Sequence, residues 1–217
     1  MPPLTYYSQY KQDRILNEFI FHSDRTGAFL DIGAYDGVLF SNSCFFERDL
    51  GWKGLCIEPT PHIFKELKKN RNCICVEGCI AAQEGHREFT VAEGVEVLGG
   101  LADRMAPDHR QRLLKETAEA GGRAYNIKVP CYNVNRICTS HGMSHINLCS
   151  LDTEGSELEI LQSIDFAALR IDVLTVENTH HGQTLRDFMT AQGYHLAGRL
   201  TIDDVFIRRD MLAAFAV

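Results

Sequence analysis

The sequence predicts an α/β fold in which helices cover both faces of a mostly parallel β-sheet. Short apolar runs alternate along the chain with segments whose apolar residues recur at helical spacing. The apolar runs are continuous, without polar residues at alternate positions, which is typical of strands buried on both faces. Alternation of this kind favours parallel strands that are joined by helices.

The elements are predicted in chain order as follows. A first helix is predicted over residues 8–22, where Ile15, Leu16, Phe19 and Ile20 are spaced as on one helix face. Buried strands are predicted at residues 28–32, 54–57, 73–77, 146–151 and 173–177. Helices between them are predicted at residues 41–49, 61–70, 156–164 and 183–192.

Two regions depart from this alternation. Residues 87–91 and 125–131 alternate like half-exposed strands, and a polar helix is predicted at 108–120 between them. We interpret residues 93–125 as an insertion or lid over the sheet. The tail predicts two further strands, at 194–198 and 204–208, which could pair as an antiparallel hairpin. Since no linker or repeat divides the chain, residues 1–217 are predicted to form a single domain.

The charge of the chain argues against nucleic acid as a partner. The 217 residues carry a formal net charge of −7, whereas a duplex-binding protein needs lysine and arginine to displace counterions from phosphates. Basic residues do cluster at Lys65, Lys68, Lys69 and Arg71. We predict that they form the solvated last turn of a helix, where they complement the helix dipole.

Composition also bears on the compartment. No apolar stretch approaches the roughly 20 residues needed to cross a bilayer, and the first residues have neither the basic region nor the apolar core of a signal peptide. The eight cysteines lack the spacing of a metal site, and several lie inside apolar runs. We therefore expect reduced, structural thiols in a cytoplasmic protein.

A glycine turn after the first strand predicts the class of ligand. Asp31 ends the strand and is followed by Gly33 and Gly37, and Glu58 ends the next strand. An acid at that second position is where such folds hold a ribose diol. The glycines do not follow the G-x-G-x-x-G pattern of dinucleotide sites, and Asp31 would repel a pyrophosphate but suits an amine. A nucleoside that carries an amino-acid tail and no phosphate is S-adenosylmethionine.

The motifs resemble those of FkbM-type methyltransferases over most of the chain. The first half is similar at SQYKQD (8–13), LDIGAYDG (30–37), SN (41–42), GWKG (51–54) and IEP (57–59). The second half is similar at LDTEGSE (151–157) and VLTVE (173–177), and the D-x-E-G-x-E box is the most specific element. The resemblance implies a class I, Rossmann-like methyltransferase that uses S-adenosylmethionine. Its sheet would have seven strands, with the final strand reversed.

The glycine turn and the resemblance together assign a set of residues to S-adenosylmethionine. Asp31, Gly33 and Gly37 are expected at its methionine end and Glu58 at its ribose, with the region after the third strand at its adenine. Gln9 could reach the carboxylate of the cofactor or could simply start the first helix. The residues predicted to bind the cofactor are Gln9, Asp31, Gly33, Ala34, Asp36, Gly37, Asn42, Glu58, Pro59, Gly78, Cys79 and Asp152.

A possible metal site lies at the ends of the fourth and fifth strands. If those strands are neighbours, Asp152, Glu177 and Asn178 converge, and their oxygen atoms suit Mg²⁺. The set is similar to the metal site of catechol-type O-methyltransferases, although Gly155 stands where those enzymes keep a lysine. The alternative is that no metal binds and that Asp152 contacts the methionine end, while Glu154 opens a helix.

Two histidines follow Asn178 in the same loop. His180 and His181 could supply a general base near the point of methyl transfer, or they could be solvated loop residues. The candidate catalytic residues are therefore Asp152, Glu154, His180 and His181.

These residues predict an O-methyltransferase that acts on a hydroxyl of a sugar, a glycan or a glycosylated metabolite. Two alternatives remain open: a non-catalytic module that keeps the fold, and an NAD-dependent oxidoreductase. The identity of the acceptor and the oligomeric state are not predicted.

Overall fold

In the computed structural model, which describes residues 4–179 and 182–214, eleven strands form two sheets. The strands in chain order are β1 Ala28–Ile32, β2 Lys53–Glu58, β3 Ile74–Glu77, β4 Cys79–Ile80, β5 Gly85–Ala92, β6 Gly100–Leu101, β7 Ala124–Tyr132, β8 His145–Leu151, β9 Arg170–Glu177, β10 Tyr194–Leu200 and β11 Asp203–Arg208. The larger sheet has seven strands in the order β10-β11-β9-β8-β1-β2-β3. The predicted sheet is thus confirmed.

The central strand of the larger sheet is β1, which pairs in parallel with β2 on one side and β8 on the other. Strand β8 pairs in parallel with β9, so their carboxyl ends lie side by side. Strand β11 is antiparallel to both β9 and β10, which confirms the predicted tail hairpin. The chain builds outward from β1 first on one side and later on the other. The gap between β1 and β8 is therefore a topological switch point, where open α/β sheets bind ligands.

Helices cover both faces of the larger sheet. They are α1 Gln12–Leu16, α2 Cys44–Arg48, α3 Pro61–Asn70, α4 Pro107–Glu119, α5 Val134–Ser140, α6 Glu157–Ser163 and α7 Gln183–Ala191. Because neighbouring side chains of a strand point to opposite faces, Phe29 joins the core beneath α2 and α3, whereas Leu30 joins the core beneath α6 and α7. Both side chains of β1 are fully buried, as a continuous apolar run predicts.

The predicted insertion is a second sheet. Its order is β4-β7-β5-β6, and β5 and β7 are antiparallel over their whole length. The two half-exposed strands and the polar helix, now α4, lie where the sequence predicts them. The second sheet extends beyond residues 93–125, however, because β4 and the end of β7 pair at Cys79 and Cys131.

Three local features differ from the predicted elements. The first helix is a five-residue α-helix that continues as a π-helix over Asn17–Phe21. Helix α2 is shorter than predicted, since a loop precedes Cys44. Helix α5, which the sequence analysis missed, begins after Asn133, whose side chain accepts the N–H of Arg136 and caps the helix.

Other properties of the chain bear on its setting. All eight cysteines have free thiols. Within the described ranges, no helix has both the length and the apolar composition that a membrane crossing requires.

Candidate functional site

A cavity of about 300 Å³ opens at the carboxyl ends of β1, β2, β8 and β9. Its size is at the lower end of the roughly 300–1,000 Å³ that is usual for ligand pockets. It lies at the switch point between β1 and β8, the position that the topology favours for a ligand.

The glycine turn after β1 forms the floor of the cavity. Gly33 has φ of +85°, and a Cβ atom there would lie 1.8 Å from the carbonyl oxygen of Asp152. The Gly33 N–H donates to the carbonyl of Ile57 at 3.1 Å. Glycine is required at this position because both the backbone angle and the close approach of the loop after β8 exclude a side chain.

Asp31 is buried at the end of β1 and lines the cavity. Its Oδ2 accepts the hydroxyl of Ser43 at 2.5 Å and that of Ser41 at 3.5 Å. Its Oδ1 makes no hydrogen bond within the described part of the chain. Burial raises the pKa of this carboxyl, while the nearby Arg71 guanidinium and the two serine hydroxyls lower it.

Glu58 ends β2 and is only 6 % exposed. Its carboxylate accepts the N–H of Thr60 at 2.7 Å through Oε1 and the N–H of Tyr35 at 3.2 Å through Oε2. Burial raises the pKa of Glu58 to about 7, and the Thr60 N–H is the largest opposing influence. Each oxygen retains a further lone pair, so the carboxylate can still accept two donors from a ligand.

A cluster of three carboxylates lies beside the glycine turn, after the neighbouring strands β8 and β9. Asp152 follows β8, Glu177 ends β9, and together with Glu154 they place ligand oxygens within 4.8 Å of one another. Asp152 is open to the cavity, but the recess holds little bulk water. This desolvation is the main reason that the pKa of Asp152 lies well above its usual value, and the negative charges of Glu177 and Glu154 raise it further. Burial and the Glu177 charge raise the pKa of Glu154 to about 8. The cluster therefore favours a positively charged guest.

Glu154 is held in this cluster by an unusual backbone and by a residue from the second sheet's helix. Its φ is +57°, which is rare for a residue other than glycine and recurs at functional sites. His109 of α4 places Nδ1 at 3.3 Å from Glu154 Oε2, and its Nε2 lies 2.9 Å from the carbonyl oxygen of Leu98. The sequence analysis did not single out His109, which is 45 residues away from Glu154 in the chain.

Asn178 is not part of this cluster. Its Nδ2 donates to Asp204 at 2.7 Å, and its Oδ1 accepts the N–H of Gly182 at 2.7 Å. Both ends of the amide are thus engaged in holding the loop after β9, and the side chain does not line the cavity. Strands β8 and β9 are neighbours as the prediction required, but it is Glu154 that joins Asp152 and Glu177.

The segment between β5 and β7 forms the outer wall of the cavity. Residues 96–99 line it beside Leu101 and Arg112. Arg112 is the only basic residue among the described residues that line the cavity. The acidic ones are Asp31, Glu58, Glu96, Asp152, Glu154, Glu177 and Asp203.

The N-terminal segment closes another side of the cavity. Gln9, Tyr10 and Gln12 line it, and Gln12 donates to Asp203 at 2.5 Å. Asp13 fixes the segment by accepting the N–H groups of Tyr7 and Ser8. Gln9 therefore faces the cavity and precedes the first helix, which begins only at Gln12.

The structure brings most of the predicted site residues to the cavity. The predicted residues that line it are Gln9, Asp31, Gly33, Ala34, Asn42, Glu58, Pro59, Gly78, Cys79, Asp152, Glu154 and Glu177. Asp36 does not line the cavity, because its carboxylate accepts the N–H groups of Val38 and Leu39. Gly37 faces the opposite way. His180 and His181 lie outside the described residues.

Two residues at the site were missed or misread in the sequence. Arg71 was predicted to be solvated, but it follows α3 and is 4 % exposed, whereas Lys65, Lys68 and Lys69 are exposed as expected. Ser156 lines the cavity, is 2 % exposed, and its hydroxyl has no partner among the described residues. Its place in the D-x-E-G-S-E box was the only available signal.

The fold is an α/β fold with a cavity at the switch point of its larger sheet, where proteins of this class bind ligands. The chain belongs to the FkbM methyltransferase family, since the model of the methyltransferase FkbM domain matches residues 31–196. That range begins at Asp31 and includes Glu58 and the carboxylate cluster. Family membership implies S-adenosylmethionine as the methyl donor.

Solved structures of methyltransferases resemble the chain at low identity. The methyltransferase FkbM of Methylobacillus flagellatus KT is 11 % identical with a TM-score of 0.49, and the match covers 85 % of this chain and 44 % of that one. The precorrin-6y C5,15-methyltransferase of Geobacter metallireducens GS-15 is 14 % identical with a TM-score of 0.43, and the match covers 95 % of this chain and 90 % of that one.

A third solved structure is the Haemonchus contortus phosphoethanolamine N-methyltransferase 1 in complex with phosphoethanolamine and S-adenosylhomocysteine. It is 10 % identical with a TM-score of 0.41, and the match covers 93 % of this chain and 40 % of that one. This chain thus spans less than half the length of the FkbM and Haemonchus chains. Comparison with curated proteins finds no significant match.

Proposed function

We propose that the protein transfers a methyl group from S-adenosylmethionine to a hydroxyl of a sugar, a glycan or a glycosylated metabolite. The observation that carries this proposal is the arrangement of one cavity. The glycine turn, Glu58 and the Asp152, Glu154 and Glu177 carboxylates all line it, at the carboxyl ends of four neighbouring strands. An alcohol is a poor nucleophile until it loses its proton, and the carboxylates stand where that proton could be accepted.

The charge of the cavity supports this cofactor. S-adenosylmethionine carries a sulfonium and an ammonium, and the cavity has seven acidic residues against Arg112. We place the ammonium near Asp31 and the ribose hydroxyls on Glu58. The methyl group would then point toward the carboxylate cluster, with the acceptor between the cluster and the outer wall at residues 96–99.

The cluster also fits Mg²⁺, with a ligand set that differs from the predicted one. Asp152, Glu154 and Glu177 supply hard oxygen donors within 4.8 Å of one another. In an octahedral Mg²⁺ site neighbouring ligands lie about 2.9 Å apart and opposite ones about 4.1 Å, so the three carboxylates would have to move closer together around the ion. A bound Mg²⁺ would lower the pKa of an acceptor hydroxyl.

The alternatives are weaker. An NAD-dependent oxidoreductase would place a pyrophosphate against the turn that follows Asp31, where the carboxylate repels it. A non-catalytic module has no physical need for a cluster of carboxylates whose charge the fold does not compensate.

Eight free thiols fit the reducing cytoplasm in which we propose that the protein works.

Calorimetric titration of the protein with S-adenosylhomocysteine, in Mg²⁺ and again in EDTA, tests the cofactor. Titration with Mg²⁺ alone tests the metal, with Asp152→Asn as the variant. The matched control is Asp187→Asn, because Asp187 is an exposed carboxylate on α7. The acceptor is then sought by incubating the protein with S-adenosylmethionine and a panel of free sugars, glycosides and glycosylated aglycones, with mass spectrometry of the products.

The expected results are micromolar binding of S-adenosylhomocysteine and a product methylated on oxygen. Binding of Mg²⁺ should be lost in Asp152→Asn and kept in Asp187→Asn. A product methylated on nitrogen or carbon would overturn the O-methyltransferase assignment. Absence of S-adenosylhomocysteine binding in both Mg²⁺ and EDTA would favour the non-catalytic alternative, and binding of NAD in its place would favour the oxidoreductase.

A further inference from the structure

A buried arginine lies directly behind the glycine turn. The side chain of Arg71 has no exposure to solvent, and its Nε is paired with Glu47 of α2. Its guanidinium also lies over the ring of Phe29, 5.1 Å from the ring centre. Glu47 in turn accepts the N–H groups of Asn72 and Cys73, which fixes the chain directly after Arg71.

The remaining donors of Arg71 reach the turn and the loop that follows it. Nη1 donates to the carbonyl of Gly37 at 3.0 Å and to the hydroxyl of Ser41 at 3.3 Å, and Nη2 donates to the hydroxyl of Ser43 at 3.0 Å. A Cβ atom on Gly37 would lie 2.6 Å from Cγ of Arg71. The arginine side chain thus fills the space behind the turn.

These contacts determine the direction of the hydrogen bonds to Asp31. A guanidinium only donates, so Ser41 and Ser43 accept from Arg71 with a lone pair. Their own hydrogens are free to point to Asp31 Oδ2, which Ser43 reaches at 2.5 Å. Because Asp31 then acts as an acceptor, its ionised form is favoured, and Oδ1 is left for a ligand at the cavity wall.

This inference rests on the proposed function: we propose that Arg71 is a positioning residue for S-adenosylmethionine. Through Ser41 and Ser43 it keeps Asp31 as a charged acceptor for the ammonium of the cofactor. Through the carbonyl of Gly37 it fixes the turn over which the methionine end lies. Arg71 lies behind the turn and is not one of the described residues that line the cavity.

The test measures the Kd of S-adenosylhomocysteine at pH 6.5 and pH 8.5 in variants of the full chain. Ser43→Ala removes the hydrogen bond from Ser43 to Asp31 and leaves the Arg71–Glu47 pair in place. This variant therefore tests the role of Arg71 even if Arg71→Met does not fold. Lys69→Met is the matched control, because Lys69 is an exposed cation on the neighbouring helix α3.

Glu58 and Glu154 also line the cavity and titrate between pH 6.5 and 8.5, but they do so in the wild type and in the variants alike, so the ratio of the two Kd values cancels their effect. The other groups to consider are those packed around Asp31. They are Arg71 after α3, Glu47 and Cys44 on α2, and Cys149 on β8. Burial raises the pKa of the Cys44 thiol to about 11 and raises that of Cys149 further, so both stay neutral between pH 6.5 and 8.5.

We expect the Kd of Ser43→Ala and Arg71→Met to exceed that of the wild type by about tenfold at pH 6.5. The ratio should not increase at pH 8.5, because a higher pH favours the ionised form of a carboxyl whose pKa is raised by burial. The KM for S-adenosylmethionine should rise while kcat at saturation is kept, and Lys69→Met should match the wild type. Ser43→Ala with wild-type Kd at both pH values, or a loss that grows as the pH rises, would overturn the role of Arg71. A wild-type protein that binds no S-adenosylhomocysteine would overturn the proposed function itself.

Discussion

The binding of S-adenosylhomocysteine should strengthen as the pH rises from 6 to 8, because of Glu58. Burial raises the pKa of this carboxyl to about 7 in the free protein. In its proposed role the carboxylate accepts two ribose hydroxyls, which favours the ionised form and lowers the pKa in the complex. Binding is then linked to the release of a proton.

The size of the effect follows from the pKa. With a value of about 7, roughly one-tenth of Glu58 is ionised at pH 6 and nine-tenths at pH 8. If only the ionised form binds the ribose, the Kd should fall by about tenfold across this range, which corresponds to about 1.4 kcal/mol. About half a proton should be released per cofactor at pH 7.

Calorimetry in two buffers of different ionisation enthalpy measures both the Kd and the released proton. Glu154 also titrates in this range. The contribution of Glu58 is therefore measured as the difference between the pH dependence of the Kd in the wild type and that in Glu58→Gln. Glu77→Gln is the control, because Glu77 lies opposite Glu58 on β3 and is exposed. A Kd that is constant from pH 6 to 8, or a slope that Glu58→Gln leaves unchanged, would refute the reasoning.

Three further predictions concern stability, each measured by chemical or thermal unfolding. Gly33→Ala should cost about 2–5 kcal/mol, because its Cβ would meet the Asp152 carbonyl at a left-handed φ. Gly51→Ala, at φ +77° in open space, should cost only about 1–2 kcal/mol; equal costs would contradict the close approach. Arg71→Met should cost about 3–5 kcal/mol, since it leaves a buried Glu47 unpaired, whereas Lys69→Met should be nearly neutral. The pKa of Glu154 is raised from 4.5 to about 8, so the folded protein holds an extra proton between these values. The contribution of Glu154 to the free energy of unfolding of the metal-free protein, measured as the difference between the wild type and Glu154→Gln, should therefore fall as the pH rises from 4.5 to 8; a rise over that window would contradict the assigned direction.

Much of the larger sheet could be predicted from local patterns. The continuous apolar runs identified β1, β2, β8 and β9, because a strand buried on both faces excludes polar residues all along its length. Strand β3 was also predicted to be buried, but it lies at the edge of the sheet and none of its residues is fully buried. The glycine turn could be predicted because a left-handed φ and a close approach leave few choices of residue. Asp31, Glu58 and Asp152 could be placed at one edge of the sheet, since the carboxyl ends of parallel strands meet there.

The second sheet was only partly predicted. The alternation of β5 and β7 was visible in the sequence, but β4 and β6 have two residues each. So short a strand carries no periodicity, and its pairing is decided by the strands beside it. Residues 96–99, which line the cavity, lie within the segment 93–125 that the sequence predicts as an insertion or lid over the sheet.

The sequence by itself therefore determined the family, the parallel sheet and the edge at which the carboxylates gather. Only the tertiary structure decided that Glu154, rather than Asn178, joins Asp152 and Glu177, and that Arg71 is buried behind the turn. Strand runs and tight turns depend on neighbours in the chain, which a single sequence displays. The partners of a polar side chain depend on distant segments, as His109 and Glu154 do, and the free energy of burying a charge is decided by those partners alone.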